Sequence, residues 1–452
     1  MKIVFACSEA VPFIKTGGLG DVAQALPQAL SEYKGNEILL FLPYYEKIKN
    51  NPGLNIEKIA EFQTQLSWRN SYVGLFRLKS KKRKLRVYFI DNEQYFKRDS
   101  IYGQLDDGER FAFFCKAILE SLVYMNECPD IIHCNDWQTA LIPVLLHAFY
   151  NDKLGQAKTV FSIHNIEYQG WAQPLFLKDV LGLGEEYESV FAYNGAVNFM
   201  KSAILSSNSV TTVSETYARQ ICDPYFAHGL SPVIDAHSFK LTGIVNGIDT
   251  VGNDPSADPH IAENYDARNF ETKKPICKAQ LQKECGLPER EDVALVGLVS
   301  RLVEHKGLEI ISQAIDEMMK LDIQFVILGT GDEKYENMLR DAAAKYPEKI
   351  SLNLCFSQSM ASKIYAGSDI YLMPSKSEPC GLSQLLAMHY GSVPIVHETG
   401  GLKDTVIPFN CMTGEGLGFT FQSFTQYDML DALNRALDVY TNRNDLWKKS
   451  GT

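Results

Sequence analysis

No apolar run in this chain of 452 residues approaches the roughly 18–20 residues that a membrane-spanning helix requires, so no membrane association is expected. A secretory signal is missing too: the N-terminus passes directly into a strand-like segment, with no basic leader and no small-residue cleavage site, and the chain is assigned to the cytoplasm. The ten cysteines contain no C-x-x-C pair, which argues against a zinc site or a disulfide framework and fits reduced thiols. A net charge of -11 leaves no general basic surface for nucleic acid. The single basic cluster, Lys79 to Lys84, lies between two strand-like segments and reads as a hairpin turn. No G-x-G-x-x-G fingerprint occurs, so neither nicotinamide nor flavin is indicated, and no cofactor or metal is expected. Internal repeats and low-complexity tracts are absent as well.

What remains is an ordinary globular composition, 45% hydrophobic and 22% charged, on a chain too long for one core. Short apolar runs alternate with helical patterns, the signature of parallel sheets covered by helices. One series of runs falls at residues 3–7, 38–42, 85–90, 131–134, 159–163 and 210–213, a second at 294–299, 324–328, 350–354, 370–373 and 393–396. Two doubly wound α/β domains follow. The segment 249–275, rich in Asp, Asn and Pro without a sustained period, marks the boundary, and domains of 1–245 and 246–452 are expected.

The chemistry-bearing residues cluster where these strands end, the edge at which open α/β sheets bind ligands. After the first strand, Lys15-Thr16-Gly17-Gly18-Leu19-Gly20-Asp21 opens a helix; glycines, free helix-start amides and the Lys15 charge together suit an anion such as phosphate, although a tightly packed turn has the same composition. Arg301 and Lys306 leave the first strand of the second series, a pair able to neutralise a diphosphate or simply to face water. Glu378 follows in the loop Ser377-Glu378-Pro379-Cys380-Gly381-Leu382-Ser383, where the carboxylate suits sugar hydroxyls or positive charge and the amides from Gly381 onward suit phosphate. Cys380 reads as a small buried thiol or a reactive one. In the first series, Asn135-Asp136-Trp137 and His164-Asn165 bring carboxylate, amide, indole and imidazole to one edge, a mixture suited to a polyhydroxylated ligand. His133, before its loop, reads as structural.

Taken together these motifs resemble the bacterial glycogen synthases, the glucosyltransferase family that includes plant starch synthases. The likeness runs from about Ile3 to Val406 and adds Tyr95, Phe96, Arg98, Tyr102, Arg110-Phe111, Asn246-Gly247-Ile248-Asp249, Tyr365-Ala366-Gly367 and Thr399-Gly400-Gly401-Leu402 to the loops above. Individually weak, they are collinear. The resemblance implies a GT-B fold, two Rossmann-like domains facing across a cleft, and retaining transfer of glucose from ADP-glucose to the nonreducing end of an α-1,4-glucan such as glycogen, without a metal. It further implies that Lys15, Gly17 and Gly18 touch the donor, that Arg301 and Lys306 neutralise the diphosphate, and that Glu378 holds the sugar. Cys380, Gly381, Leu382 and Ser383 line the phosphate, Phe356 stacks on adenine, and Asp136, His164, Asn246 and Tyr95 surround the transferred glucose. Asp136 either orients the acceptor or acts as base; no covalent nucleophile is assigned.

The chain also departs from the family pattern. His305 stands where Gln is usual, and Phe356 replaces a common Tyr, keeping the stacking face but losing a phenolic hydrogen bond. Residues 251–255 lack the usual Trp-Asn-Pro, and the sequence stops at Thr452, short of an aromatic-rich terminal helix, from which looser closure of the two domains is expected. The competing readings are a glucan-binding or regulatory homologue with impaired turnover and a UDP-glucose-dependent or sucrose-forming transferase; a dehydrogenase stands further off.

Overall fold

The computed structural model describes residues 1–80, 84–443 and 445–447. The chain divides into two compact units, Met1–Gly247 and Ile248–Thr452. In the first, nine strands form one sheet: β1 (Lys2–Ala6), β2 (Glu37–Pro43), β3 (Ile56–Leu66), β4 (Arg69–Leu78), β5 (Leu85–Asp91), β6 (Ile131–Asn135), β7 (Lys158–Ile163) and, after a small separate sheet of β8 (Trp171–Ala172), β9 (Ala192–Tyr193) and β10 (Ala196–Asn198), β11 (Ser209–Thr212) and β12 (Leu241–Gly243). Their spatial order is β12-β11-β7-β6-β1-β2-β5-β4-β3. Strand β1 is central, with Phe5 paired to Leu40 on one side and His133 on the other, and helices cover both faces, which is why its residues from Val4 to Ala6 are fully buried.

The second unit carries β13 (Ala294–Val299), β14 (Ile323–Leu328), β15 (Ile350–Asn353), β16 (Ile370–Met373), β17 (Val393–His397) and β18 (Phe419–Phe421), all parallel, in the order β15-β14-β13-β16-β17-β18. Both sheets therefore reverse direction once. In the second sheet the chain builds outward from β13 to β15 and returns to start the other side with β16. In the first it places β2 beside β1, folds back from the edge through β3, β4 and β5, and returns to start the other side with β6. The carboxyl ends flanking each reversal leave a crevice, the place where doubly wound sheets take their ligands.

Two departures from the sequence reading are physical in origin. The first sheet is not wholly parallel: β3 and β4 form an antiparallel hairpin that extends its edge through β5. The turn expected at Lys79 to Lys84 joins β4 to β5, but residues 81–83 lie outside the described residues, as do residues 448–452 at the tail. The stretch before Pro275 is irregular only in part, because a helix spans Phe270–Glu284 and runs through that proline. Its period is hidden by two inward lysines. Lys274 donates to the carbonyls of Tyr365, Ala366 and Tyr390 (2.8–3.2 Å), and Lys278 pairs with Asp369 at 2.8 Å.

Candidate functional site

At the reversal of the second unit, the loops after β13 and β16 are tied together before any ligand arrives. Lys376 N donates to His305 O at 2.8 Å. Gly307 has φ +80, and a Cβ there would lie 1.9 Å from Pro374 O, so only glycine permits this approach of the two loops. Lys306 Nζ reaches Glu378 Oε2 at 2.6 Å, and Ser375 Oγ donates to the same oxygen at 3.0 Å. The charge expected on the phosphate and the carboxylate expected on the sugar are thus paired with each other. Both are largely buried, so removing either partner leaves a desolvated charge, a loss of about 3–5 kcal/mol. His397, buried behind the loop, donates from Nδ1 to Ser375 O at 2.8 Å and fixes its direction.

Around this pair the surroundings suit an anion. Arg301 is exposed, and its guanidinium has no hydrogen-bond or ion-pair partner among the described residues. The amides of Gly381, Leu382 and Ser383, which lead into the helix Ser383–His389, also lack a protein acceptor among the described residues. Gly381 has φ +74, and Gln384 folds beneath it, its Nε2 donating to the carbonyls of Cys380 (3.1 Å) and Gly381 (3.0 Å). With those carbonyls held inward, the amides of the turn are left for a ligand. Cys380 is buried and Ser383 Oγ lies 3.3 Å from Met373 Sδ. Phe356, just beyond β15 on the same edge of the sheet, is 79% exposed, an uncovered aromatic face.

The first unit's reversal is arranged differently. The helix Gly18–Glu32 begins where expected, with Gly17 extended at φ −146, but its entrance is not an open anion site. Glu9 fills it, accepting from Thr16 N and Thr16 Oγ1 (2.6 Å each) and Gly17 N (3.2 Å). Lys15 is not free either, its Nζ lying 2.7 Å from Asp21. A Cβ on Gly20 would meet the Lys15 side chain at 3.1 Å, so the glycine makes room for that side chain to lie across the helix start.

Asp136, at the end of β6, has φ +54, a strained conformation for a non-glycine that costs on the order of 1–3 kcal/mol. The backbone is held by Asp136 N to Ser162 O at 2.9 Å, and the carboxylate Oδ1 accepts from His164 N at 2.7 Å. Burial raises the acid to about 7 against those amide donors, with the Glu9 charge adding to the rise. His164 is driven the other way, to about 3, by burial and by the neighbouring His133, so its ring is neutral at ordinary pH. The tautomer follows from the neighbours. Asn135 Nδ2 donates to Ala6 O (3.0 Å), which leaves Asn135 Oδ1 to accept from His164 Nε2 (2.9 Å) and makes His164 Nδ1 an acceptor. Trp137 packs edge-on to Phe111 and against Gly170, where φ is +70 and a Cβ would lie 2.6 Å from the indole.

The remaining candidates are placed apart from these clusters or beside them. Tyr95 is 2% exposed and packed on Phe113, with its hydroxyl donating to Glu109 at 2.7 Å. Asn246 follows β12 in an irregular, half-buried segment of the first unit. His133 is half-buried, packed edge-on to Phe5 and hydrogen-bonded to Ser162 (2.6 Å). The sequence reading passed over Glu9, Asn135's acceptor role, Ser375 and Gln384. Glu9 carried one signal, an acidic residue directly after a strand buried on both faces.

Comparison with known proteins gives the same division of the chain. A starch synthase catalytic domain model matches residues 2–236, and a glycosyl transferases group 1 model matches residues 282–451. The glycogen synthase of Clostridium novyi (strain NT) is 49% identical, covering 99% of this chain and 94% of that protein. That of Streptococcus mutans serotype c is 46% identical with the same coverage of 99% and 94%. Among solved structures, the catalytic domain of starch synthase IV from Arabidopsis thaliana bound to ADP and acarbose superposes with a TM-score of 0.92 at 33% identity, covering 100% of this chain and 94% of that one. The sucrose-phosphate synthase of Thermosynechococcus elongatus, at TM-score 0.59 and 15% identity, shares the fold alone.

Proposed function

This chain belongs to the family of glycogen and starch synthases, glycosyltransferases of GT-B fold, and from that premise we propose that it transfers glucose from ADP-glucose, with retention, to the nonreducing end of an α-1,4-glucan. The observation that carries the reading is the second unit's crevice, where the Lys306–Glu378 pair sits in an edge that also offers an unpaired Arg301 and the open amides of Gly381 to Ser383. Such an array suits a diphosphate that must gain negative charge as its bond to glucose breaks.

Arg301 and the turn amides bind the diphosphate in the ground state. As the glycosidic carbon becomes oxocarbenium-like, charge grows on the departing oxygen and Lys306 stabilises it, the kind of preorganised electrostatics that removes most of a barrier. Glu378 then faces a positive sugar with its ammonium partner drawn toward phosphate. Phe356 takes the adenine face, ADP being also the nucleotide in the starch synthase IV structure.

In the first unit, Asp136 and the neutral His164 offer acceptors to hydroxyls without competing for phosphate. Ionised Asp136 either orients the incoming glucan hydroxyl or takes its proton. Lys15 turns from Asp21 to the donor at little cost, since a half-exposed pair of this kind is worth roughly 0–1 kcal/mol. Gly17 and Gly18 allow the donor close to the backbone, Asn246 shapes the sugar's surroundings, and Tyr95, buried on Phe113 with its hydroxyl on Glu109, acts through the packing behind them.

Incubation with glycogen and either ADP-glucose or UDP-glucose tests this directly. ADP release coupled to chain growth, faster than UDP release, is expected. Glucan binding with neither nucleotide released would instead favour a regulatory homologue, and preferential UDP release a UDP-glucose-dependent enzyme.

A further inference from the structure

Glu9 is 2% exposed and no step of the transfer uses it, yet it makes three hydrogen bonds to the turn that carries Lys15 and Gly18. Its Oε2 takes both the amide and the hydroxyl of Thr16 at 2.6 Å, and Oε1 takes the amide of Gly17 at 3.2 Å. Gly17, at the helix start, has no side chain with which to cap Gly18–Glu32, and Glu9 instead holds the two amides that lead into the helix, those of Thr16 and Gly17. A Cβ on Gly17 would lie 3.6 Å from Glu9 Oε1, ordinary contact, so the glycine is not demanded by this bond and leaves its open side to a ligand.

The carboxylate also has electrostatic reach. Cys7, Tyr45, Tyr102 and Asp136 are among the titratable groups that feel its charge. Burial raises Glu9 itself, against the Thr16 and Gly17 donors that favour its charged form. Glu9 and Asp136 stand after neighbouring strands β1 and β6, and the Glu9 charge adds to the rise of Asp136.

We propose that Glu9 is a positioning residue for glucosyl transfer: its hydrogen bonds lock the Thr16-Gly17 turn in one orientation toward the donor. This rests on the donor roles given above to Lys15 and Gly18.

Glu9→Gln tests it, because the amide keeps the shape while losing the charge and one acceptor. Without any substrate, hydrogen exchange at the Thr16 and Gly17 amides is expected to quicken by about tenfold or more, the effect of losing a charge-assisted bond. With substrates, kcat/KM for ADP-glucose should fall by about 10–100-fold at temperatures well below the melting transition. A carboxylate that only stabilised the fold would leave kcat/KM unchanged in the folded variant. Thr16→Val, which keeps both amide bonds and removes only the hydroxyl, serves if Glu9→Gln does not fold; the same amides should exchange faster, by a smaller factor. Wild-type exchange at Thr16 and Gly17 in the folded variant, or an unchanged kcat/KM for ADP-glucose, overturns the proposal. Absence of turnover by the wild-type protein would sink the donor reading instead, and the exchange rates would then judge the Glu9 lock alone.

Discussion

Between β13 and β16, the Arg301 guanidinium and the amides of Gly381 to Ser383 stand without protein partners among the described residues, and the nearby carboxylate of Glu378 is already matched by Lys306. Between β1 and β6 the positions are filled: Glu9 occupies the helix entrance, Asp21 holds Lys15, and Asp136 and His164 are a raised acid and a neutral imidazole. The two crevices share a topology and differ in what they leave unsatisfied. One leaves positive charge and amide donors, fit for a nucleoside diphosphate; the other leaves a carboxyl group that ionises around 7 and a neutral imidazole, acceptors fit for hydroxyls. Topology thus selects where a ligand goes, and the unpaired groups select which.

Removing the cations of the second unit should break this contrast most severely. Lys306→Ala and Arg301→Ala should each lower kcat by about two to three decades. They should differ in stability, however. Lys306→Ala strands the buried Glu378 and should lower the melting temperature clearly, whereas exposed Arg301 should leave it nearly unchanged; kinetics and thermal melts on the same preparations check both. Glu378→Gln comes next. It keeps Ser375's bond and the local shape but removes the negative charge, and kcat is expected to fall by about two decades with KM little changed. A rise in KM alone would make Glu378 a sugar-binding contact only.

Asp136→Asn should lower kcat by about tenfold to a hundredfold and abolish one limb of the pH profile. The sign follows from the raised acid at about 7: its ionised form is present above that pH and lost as pH falls through it, so wild-type kcat/KM should decline on the acid side around 7 and the variant should not. Phe356→Ala should have the smallest effect, raising KM for ADP-glucose by roughly 3–10-fold with kcat unchanged, as a stacking contact of about 0.5–1.5 kcal/mol requires.

Much of this was legible in the sequence, for identifiable reasons. Parallel strands buried on both faces read as unbroken apolar runs, so β1, β13 and their neighbours were plain, and the loops at their ends carried the chemistry. Strand β3 was not, because its exposed glutamates and lysine interrupt the apolar run with an edge-strand pattern. The helix Phe270–Glu284 was hidden because its inward face carries Lys274 and Lys278, whose ammonium groups are satisfied by carbonyls and Asp369; burial pushes Lys274 down to about 8. The site's residue types were visible, but its pairings were not: Lys306 and Glu378 are distant in sequence, and Glu9 reaches a turn that sequence reading took as open to phosphate. Periodicity reports which faces are buried. It does not report which charge meets which.

The division of labour between the two crevices is tested most directly by calorimetry of ADP binding to the full chain, without sugar or glucan, in the wild type, Arg301→Ala and Asp136→Asn. Loss of a charge-assisted contact in Arg301→Ala should weaken ADP binding by about 10–100-fold, while Asp136→Asn should bind ADP as the wild type does. If Asp136→Asn weakens ADP as much as Arg301→Ala, or Arg301→Ala leaves it unchanged, the assignment of the diphosphate to the second unit is wrong.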